Sequence, residues 1–437
     1  MTGSGAWRRG SVVDAHRSHR THEIVWREVA DDFVTEYSRR MLMSLPRRDQ
    51  RESGELYISG LLSLTGRKSM RSIASIAGGG AAEQRLHHFI SKSPWDWVMV
   101  RRALAADLDR ALDPLAWVVR PMVVLKAGEH TVGVTESFVP QLGRVVNCQR
   151  SYGVWLAGET QSAPVNWRLL LSEEWLTDAE RRRRAEIRDA SGGDDGGVPP
   201  AAAVALELTR AWGLRPRPVI TDARDEDVEA LVRHLLAAKV SFVLRIGGAT
   251  RLTRWSAASR GRAGRWMTAQ HLAESTDRGG PQVGWVGRIG PVGRAAPFSV
   301  TDVVPPPGSG AALLRLVGAP RPGERRVREL WLSNMTDASS AHIVRLGRLT
   351  ERVDEDFAEI STKLGVMDFE GRSFGGWHRH ATLSAVAQGI VTLSAARDQA
   401  VEPHGDDLQI AWTTPGWLEA LLPGRARGHG APEEVLR

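Results

Sequence analysis

Cysteine is almost absent from this chain: Cys148 stands alone. A disulfide framework is therefore excluded, and so is a zinc site built on several thiolates. Long apolar runs are absent too. No stretch approaches the roughly 20 residues that a membrane-crossing helix requires. The opening segment MTGSGAWRRGSVVDAHRSHR is polar and basic and lacks the apolar centre of a secretory signal. A cytoplasmic protein with no membrane segment is expected. Tyrosine is scarce, with 3 residues against 16 tryptophans. Lysine is scarce as well: of 58 basic residues only Lys68, Lys92, Lys126, Lys239 and Lys363 are lysine, the other 53 being arginine.

What is present points to a large folded body. Over 437 residues, 42% hydrophobic and 25% charged are globular values, with enough apolar material for a sizeable core. That length exceeds one ordinary domain. The net charge is +7 and the isoelectric point near 10.1. Arginine forms bidentate contacts with phosphate, so a polyanionic partner would account for the excess. A GC-rich coding sequence, which favours Arg, Gly, Ala and Trp together, accounts for it too. A charge of +7 over this length does not decide between them.

Pattern changes divide the chain. Residues 1–28 read as a disordered basic arm. From 29 to 113, segments such as GELYISGLLSL, AAEQRLHHFISK and WDWVMVRRALAADLDRAL space apolar residues by three and four, predicting four or five helices. Ser93 followed by Pro94 predicts a cap and first helical turn. After Pro114 the runs AWVVRPMVVL, HTVGVTESFV, VVNCQRSYGVWLA and VNWRLLL predict strands. SEEWLTDAERRRRAEI reads as one helix opened by Ser172, and DASGGDDGGVPP as a flexible loop. The alternation AAAVALELTRAWG, RPVITDA, DEDVEALVRHLLAAK, VSFVLRI predicts βαβ units with parallel strands. Residues 247–322 shift to Gly, Arg and Pro with short alternating runs, VGWVGRIG among them, and predict a β-rich insertion. RVRELWLSN resumes the strand pattern. Residues 339–365 predict one long helix closed by Gly365, and FGGWHRHATLSAVAQGIVTLSAA a second, apolar one. Residues 398–437 read as a mostly disordered tail with a short helix near PGWLEALL.

Strand hairpins, βαβ units, an insertion and a long acidic helix form the layout of an RNase H-like core. Its chemistry needs carboxylates on two parallel strands and on the helix, which together hold two divalent metals. The strings LHHFISKSPWDW, KAGEHTVGV with LGRVVNCQ, WRLLLSEEWLTDAERR and LGVMDFEGRSFGGWHRHATL resemble the insertion-sequence 701 transposase family, within the DDE superfamily. The resemblance runs from about residue 30 to 396. It implies an α/β fold with an RNase H-like core at 114–246 and 323–397, a helical N-terminal DNA-binding domain at 29–113, and a β-rich insertion before the last catalytic helix. It further implies Mg²⁺-dependent cleavage and rejoining of DNA.

Carried over residue by residue, the resemblance places the first carboxylate at Arg120 or Pro121, counted back from Lys126-Ala127-Gly128. Neither can bind a metal, and a guanidinium would repel one. The second falls on Asp222, after RPVIT, and the third on Asp354, an Asp where the family has Glu, with Glu355 beside it. The basic residue seven positions on falls on Ser361. The expected catalytic residues are thus Asp222, Asp354 and Glu355, with Asp222 and Asp354 as metal ligands and Arg120 and Pro121 as the lost position. Glu129 and Glu136 on the hairpin are weak substitutes. The expected DNA contacts are Lys126 and Arg181, Arg182, Arg183 and Arg184, although that run suits a solvated face equally well.

Other residues have plainer readings. His378 and His380, at i and i+2 of a helix, face different ways and so predict one surface and one packed histidine. His87 and His88 predict the same. Asp225, Glu226 and Asp227 suit a helix N-terminus. Trp95, Trp97, Trp167, Trp175 and Trp377 suit core packing better than base stacking, and Cys148 suits a core strand. A helix-turn-helix reader within the N-terminal helices is conceivable on helix spacing alone.

The sequence therefore predicts a transposase-family protein, weakly active or inactive, with duplex DNA as partner and Mg²⁺ as the family cofactor. A homodimer is compatible with it, as is association with the nucleoid when DNA is bound. The alternatives are a non-catalytic DNA-binding or regulatory protein derived from a transposase, and a protein–protein scaffold that uses only the folded body.

Overall fold

The computed structural model describes residues 31–187, 197–255, 265–276, 298–304, 312–320 and 326–401. The expected arm at 1–28, the centre of the loop after Asp189, the VGWVGRIG run and the PGWLEALL helix lie outside the described residues.

Five helices open the described chain: α1 (Asp31–Met41), α2 (Arg48–Ser63), α3 (Met70–Ser75), α4 (Ala81–Ser91) and α5 (Trp97–Leu112). Their caps differ in one respect from the sequence expectation. Ser93 does not cap α5; its hydroxyl is buried and accepts from Gln50 Nε2 at 2.9 Å. The helix begins three residues later than expected, where the Asp96 carboxylate accepts from the Val98 N–H at 2.8 Å. A carboxylate directly ahead of the first turn is the stronger N-terminal acceptor.

The strands are β1 (Ala116–Leu125), β2 (Val134–Val139), β3 (Arg144–Ala157), β4 (Ser162–Leu169), β5 (Val219–Asp222), β6 (Phe242–Arg245), β7 (Arg251–Arg254), β8 (Trp266–Thr268), β9 (Ser299–Val304), β10 (Leu314–Pro320) and β11 (Val327–Ser333). All eleven belong to one sheet, ordered β2-β3-β1-β5-β6-β11-β10-β9-β7-β8, with β4 also pairing with β3. The βαβ reading holds where it was made: β1, β5 and β6 run parallel, and the remaining pairs are antiparallel. The described strands of the 247–322 segment do not form a sheet of their own. They continue the central one through β11, which pairs with β6 on one side and β10 on the other.

Helices α6 (Glu173–Thr177), α7 (Ala179–Ala185), α8 (Pro200–Arg210), α9 (Val228–Ala237) and α10 (Ala269–Glu274) connect these strands. The single helix expected after Ser172 is broken at Asp178, whose carboxylate caps α7 by accepting from the N–H groups of Glu180 and Arg181. The long helix expected over 339–365 is likewise jointed. It runs as α11 (Ser340–Gly347), α12 (Leu349–Asp356) and a π-turn at Phe357–Ser361, then ends at Gly365 with φ of 76°. Gly347 marks the joint. A Cβ there would lie 2.6 Å from the Trp331 ring, so only glycine lets the helix approach β11 this closely.

The last helix, α13 (Phe374–Val401), continues four residues past the expected boundary at 397. It is buried on every side over most of its length and packs against α1, α2, α4, α5 and β4. The N-terminal helices thus share one hydrophobic core with the sheet. Among the described residues no helix is long and apolar enough to cross a membrane.

Candidate functional site

The parallel strands set the geometry. Val119 of β1 pairs with Thr221 of β5, so Arg120 and Asp222 follow as neighbours at the carboxyl ends of adjacent strands. Asp222 is in turn in register with Arg245 at the end of β6. Helix α12 lies across these ends and presents Asp354.

Arg120 bridges the sheet to α12. Its Nε donates to Asp354 Oδ1 at 2.7 Å, its Nη1 donates to Pro121 O at 2.9 Å, and its guanidinium lies 3.7 Å above the Phe357 ring. The cation therefore has a carboxylate at its edge and an aromatic face beneath it. Asp222 is held by a fork: Arg224 donates through Nε to Oδ1 at 2.8 Å and through Nη2 to Oδ2 at 2.5 Å, with its backbone N–H at 3.2 Å. That hydrogen bonding to Asp222 raises the Arg224 pKa, and Asp225 and Asp354 add to it. Arg245 stands 4.0 Å from Asp222 and 3.9 Å from buried Glu329, which Arg348 also approaches at 3.3 Å. On α12, Arg352 pairs with Glu355 at 3.2 Å and with Asp356 at 2.6 Å. Burial raises the carboxyl pKa of Glu351, with Glu329 adding to it.

The acids of the α12 run divide their work. Asp354 is exposed and paired with Arg120, while Glu355 is exposed and paired with Arg352. Asp356 is buried and accepts from both the backbone N–H and the hydroxyl of Ser162, at 2.8 and 2.7 Å. Burial raises its pKa, against the opposing pull of Arg352 and Ser162. Asp356 thus fastens α12 to the start of β4. Ser361 is buried and donates to Gln388 Oε1 at 2.5 Å.

The other expected residues are placed as follows. Pro121 pairs in register with Tyr152, whose hydroxyl donates to Glu226. Burial raises the Glu226 pKa, which this hydrogen bond partly offsets. Lys126 is half-buried, and its ammonium donates to Phe369 O at 2.7 Å. On α7, Arg181 pairs with Glu174 at 3.0 Å, while Arg183 and Arg184 both pair with Glu180, at 2.9 and 3.4 Å. Glu129 and Glu136 are exposed, and β2, which carries Glu136, is separated from β1 by β3. Asp227 caps α9, accepting from the Ala230 N–H at 3.0 Å.

Both histidine readings need correction. His378 and His380 are both buried, because α13 has no solvent face over this stretch. His378 accepts from Arg101 Nη2 at 3.1 Å and stacks on Trp97. The Nε2 of His380 faces the Gly365 carbonyl at 3.0 Å and therefore carries the proton, which leaves Nδ1 to accept from Tyr57 Oη at 2.8 Å. His87 and His88 are both exposed, since the buried stripe of α4 runs through Ala82, Leu86, Phe89 and Ile90. Trp95, Trp167, Trp175 and Trp377 are buried, Trp97 is partly so, and Cys148 is fully buried.

Arg245, Glu329, Arg348 and Arg352 escaped the sequence reading. Only Arg224, two residues after Asp222, carried a local signal. The others meet through strand pairing and the joint in the α11–α12 helix.

A mixed sheet with parallel β1, β5 and β6 and a helix crossing their carboxyl ends defines an RNase H-like α/β fold of the nuclease type. Residues 40–279 match the family model described as DDE superfamily endonuclease, which covers more than half of the chain, and the chain belongs to that family. No curated protein matches it. The family implies a DNA substrate, and its nucleases generally use divalent metal ions. The residues present do not fit such ions. Arg120 occupies Asp354, Arg224 occupies both oxygens of Asp222, and among the described residues no group of three or more His, Cys, Asp or Glu could hold a metal.

Proposed function

We propose that the chain is a DNA-binding transposase-family protein, of the insertion-sequence 701 type, in which strand cleavage is impaired or lost. The observation that carries this reading is the ion pair between Arg120 and Asp354. Where a metal-bridging carboxylate would stand on β1 there is a cation, and its partner is the helix carboxylate itself. In this reading Asp222 and Asp354 descend from the metal ligands, with Glu355 next to them, and Arg120 and Pro121 mark the lost ligand. Residues 29–113 read DNA, 114–246 and 323–397 form the nuclease core, and 247–322 is an insertion continuous with it. Lys126 and the Arg181–Arg184 run supply phosphate contacts when their present partners are exchanged for DNA. A homodimer and nucleoid association belong to the same reading.

A non-catalytic regulatory DNA-binding protein derived from a transposase is the second reading. It is favoured by the pairing within the site, where five carboxylates are engaged by five guanidinium groups.

Filter binding to duplex DNA at two salt concentrations tests the partner. A steep fall with salt is expected, and no binding at low salt refutes DNA as partner. Nicking in Mg²⁺ tests the chemistry. Little or none is expected, any residue of it should vanish in Asp222→Ala, and nicking that persists unchanged in that variant refutes the site.

A further inference from the structure

We infer that Arg120 and Arg224 are built-in counter-cations. They hold Asp354 and Asp222 in the manner of divalent ions, Arg120 tying β1 to α12 without metal, and mask a cation site at which, once the Arg120 guanidinium is removed, a dication displaces the half-exposed Arg224 from Asp222. This rests on the reading that Asp222 and Asp354 descend from the family's metal ligands.

Three observations support it. First, both carboxylates are engaged in ordered geometry: Arg120 meets Asp354 with its Nε edge while its plane rests on Phe357, and Arg224 grips both oxygens of Asp222. Such planar, fixed contacts are what guanidinium groups supply and ammonium groups do not. Second, the carboxylates are already engaged by guanidinium groups, so a dication entering the cluster would meet the repulsion of several arginines. Third, register makes the masking local. Residue 120 lies beside residue 222 on neighbouring parallel strands, which sit about 4.8 Å apart. An oxygen ligand at position 120 would therefore face Asp222 and Asp354 together, a donor set suited to Mg²⁺ or Mn²⁺.

The test uses the full chain and Mn²⁺ as probe, read by electron paramagnetic resonance and by thermal melting at matched ionic strength. The unmodified protein should take up no Mn²⁺ at this site and show no specific shift in melting temperature. Arg120→Asp should melt lower without metal, bind one or more Mn²⁺, and gain about 2 °C or more when Mn²⁺ is added. Both effects should disappear when Asp222→Ala is combined with it. Arg120→Gln, close in size and uncharged, guards against a misfolded Asp variant and should show weaker Mn²⁺ uptake. Two results overturn the inference: uptake by the unmodified protein that is lost in Asp222→Ala, or folded Arg120→Gln and Arg120→Asp proteins that take up none. DNA binding is measured separately. If DNA binds and neither variant takes up Mn²⁺, only the counter-cation role falls; if the variants take up Mn²⁺ and no DNA binds, only the DNA reading falls.

Discussion

Replacing Arg101 with methionine should weaken the fold more than any change at the exposed arginines. Arg101 sits on α5 and is only 2% exposed. All five of its N–H directions are used: Nε to Thr382 Oγ1 at 2.7 Å, Nη1 to Asn166 Oδ1 at 3.2 Å and Trp167 O at 2.6 Å, and Nη2 to the Nδ1 and carbonyl of His378, each at 3.1 Å. None of these acceptors is a carboxylate. The nearest help comes through Asn166, whose amide donates to Glu207 at 3.0 Å. Burial accordingly pulls the Arg101 pKa down to about 9, with Glu207 and Asp96 opposing it. In Arg101→Met, Asn166 Oδ1 keeps the Trp167 N–H and the His378 carbonyl keeps the Thr382 hydroxyl. Trp167 O and His378 Nδ1 lose the guanidinium as donor. Two buried acceptors at about 1–3 kcal/mol each, less the relief of removing a desolvated charge, give a net loss of about 2–5 kcal/mol. Lysine offers three donors from a single point and should recover only part of this. Urea titration followed by tryptophan fluorescence is a suitable assay, since Trp97 stacks on His378 at 5.0 Å. An unchanged midpoint and slope in Arg101→Met would refute the reasoning.

Two further outcomes are expected. Burial pulls the His380 pKa down to about 4 from 6.5. The folded state therefore binds fewer protons than the unfolded one between these values, and the stability it confers, present above about pH 6.5, is lost as pH falls through about 4. The loss is roughly 3 kcal/mol. Burial also holds the His378 pKa well below its ordinary value, which adds in the same direction. Melting temperatures across that range should fall more steeply in the unmodified protein than in His380→Asn, and equal slopes would contradict the assignment. Asp356→Ala should cost about 2–4 kcal/mol, since it leaves Arg352 and the Ser162 N–H and hydroxyl without their shared acceptor. Asp354→Ala, which removes an exposed partner, should cost under about 1 kcal/mol. A reversed ranking in urea titrations would show that the acids of α12 are misassigned.

Much of the core was legible because it rests on local patterns. The βαβ alternation marked the parallel strands, whereas Asp222 and Asp354 were singled out only through the family resemblance. At Arg120 the family resemblance put a cation where it expects a carboxylate, and in the structure that cation pairs with Asp354. What escaped depends on distant pairing. Nothing in residues 247–322 says that their strands would extend the central sheet, because that is decided by β11 finding β6. The histidine pair on α13 was misread because a face argument assumes solvent on one side, and here one imidazole meets Arg101 and the other Tyr57. The acidic partners of Arg181, Arg183 and Arg184 lay within seven residues of them, so this pairing could have been read from spacing alone.

The position of α13 has a consequence for the order in which the protein matures. The helices translated first cannot complete their packing until the last described helix exists. Tyr57 waits for His380, 323 residues downstream, and Arg101 waits for Thr382, 281 residues downstream. Until then α2 and α5 leave the ribosome with their inward faces uncovered, a state open to aggregation and to chaperone capture. Closure over such sequence separations is slow. A chain arrested before Phe374 should remain a folding intermediate, so premature termination would remove the N-terminal helices' fold along with the missing end.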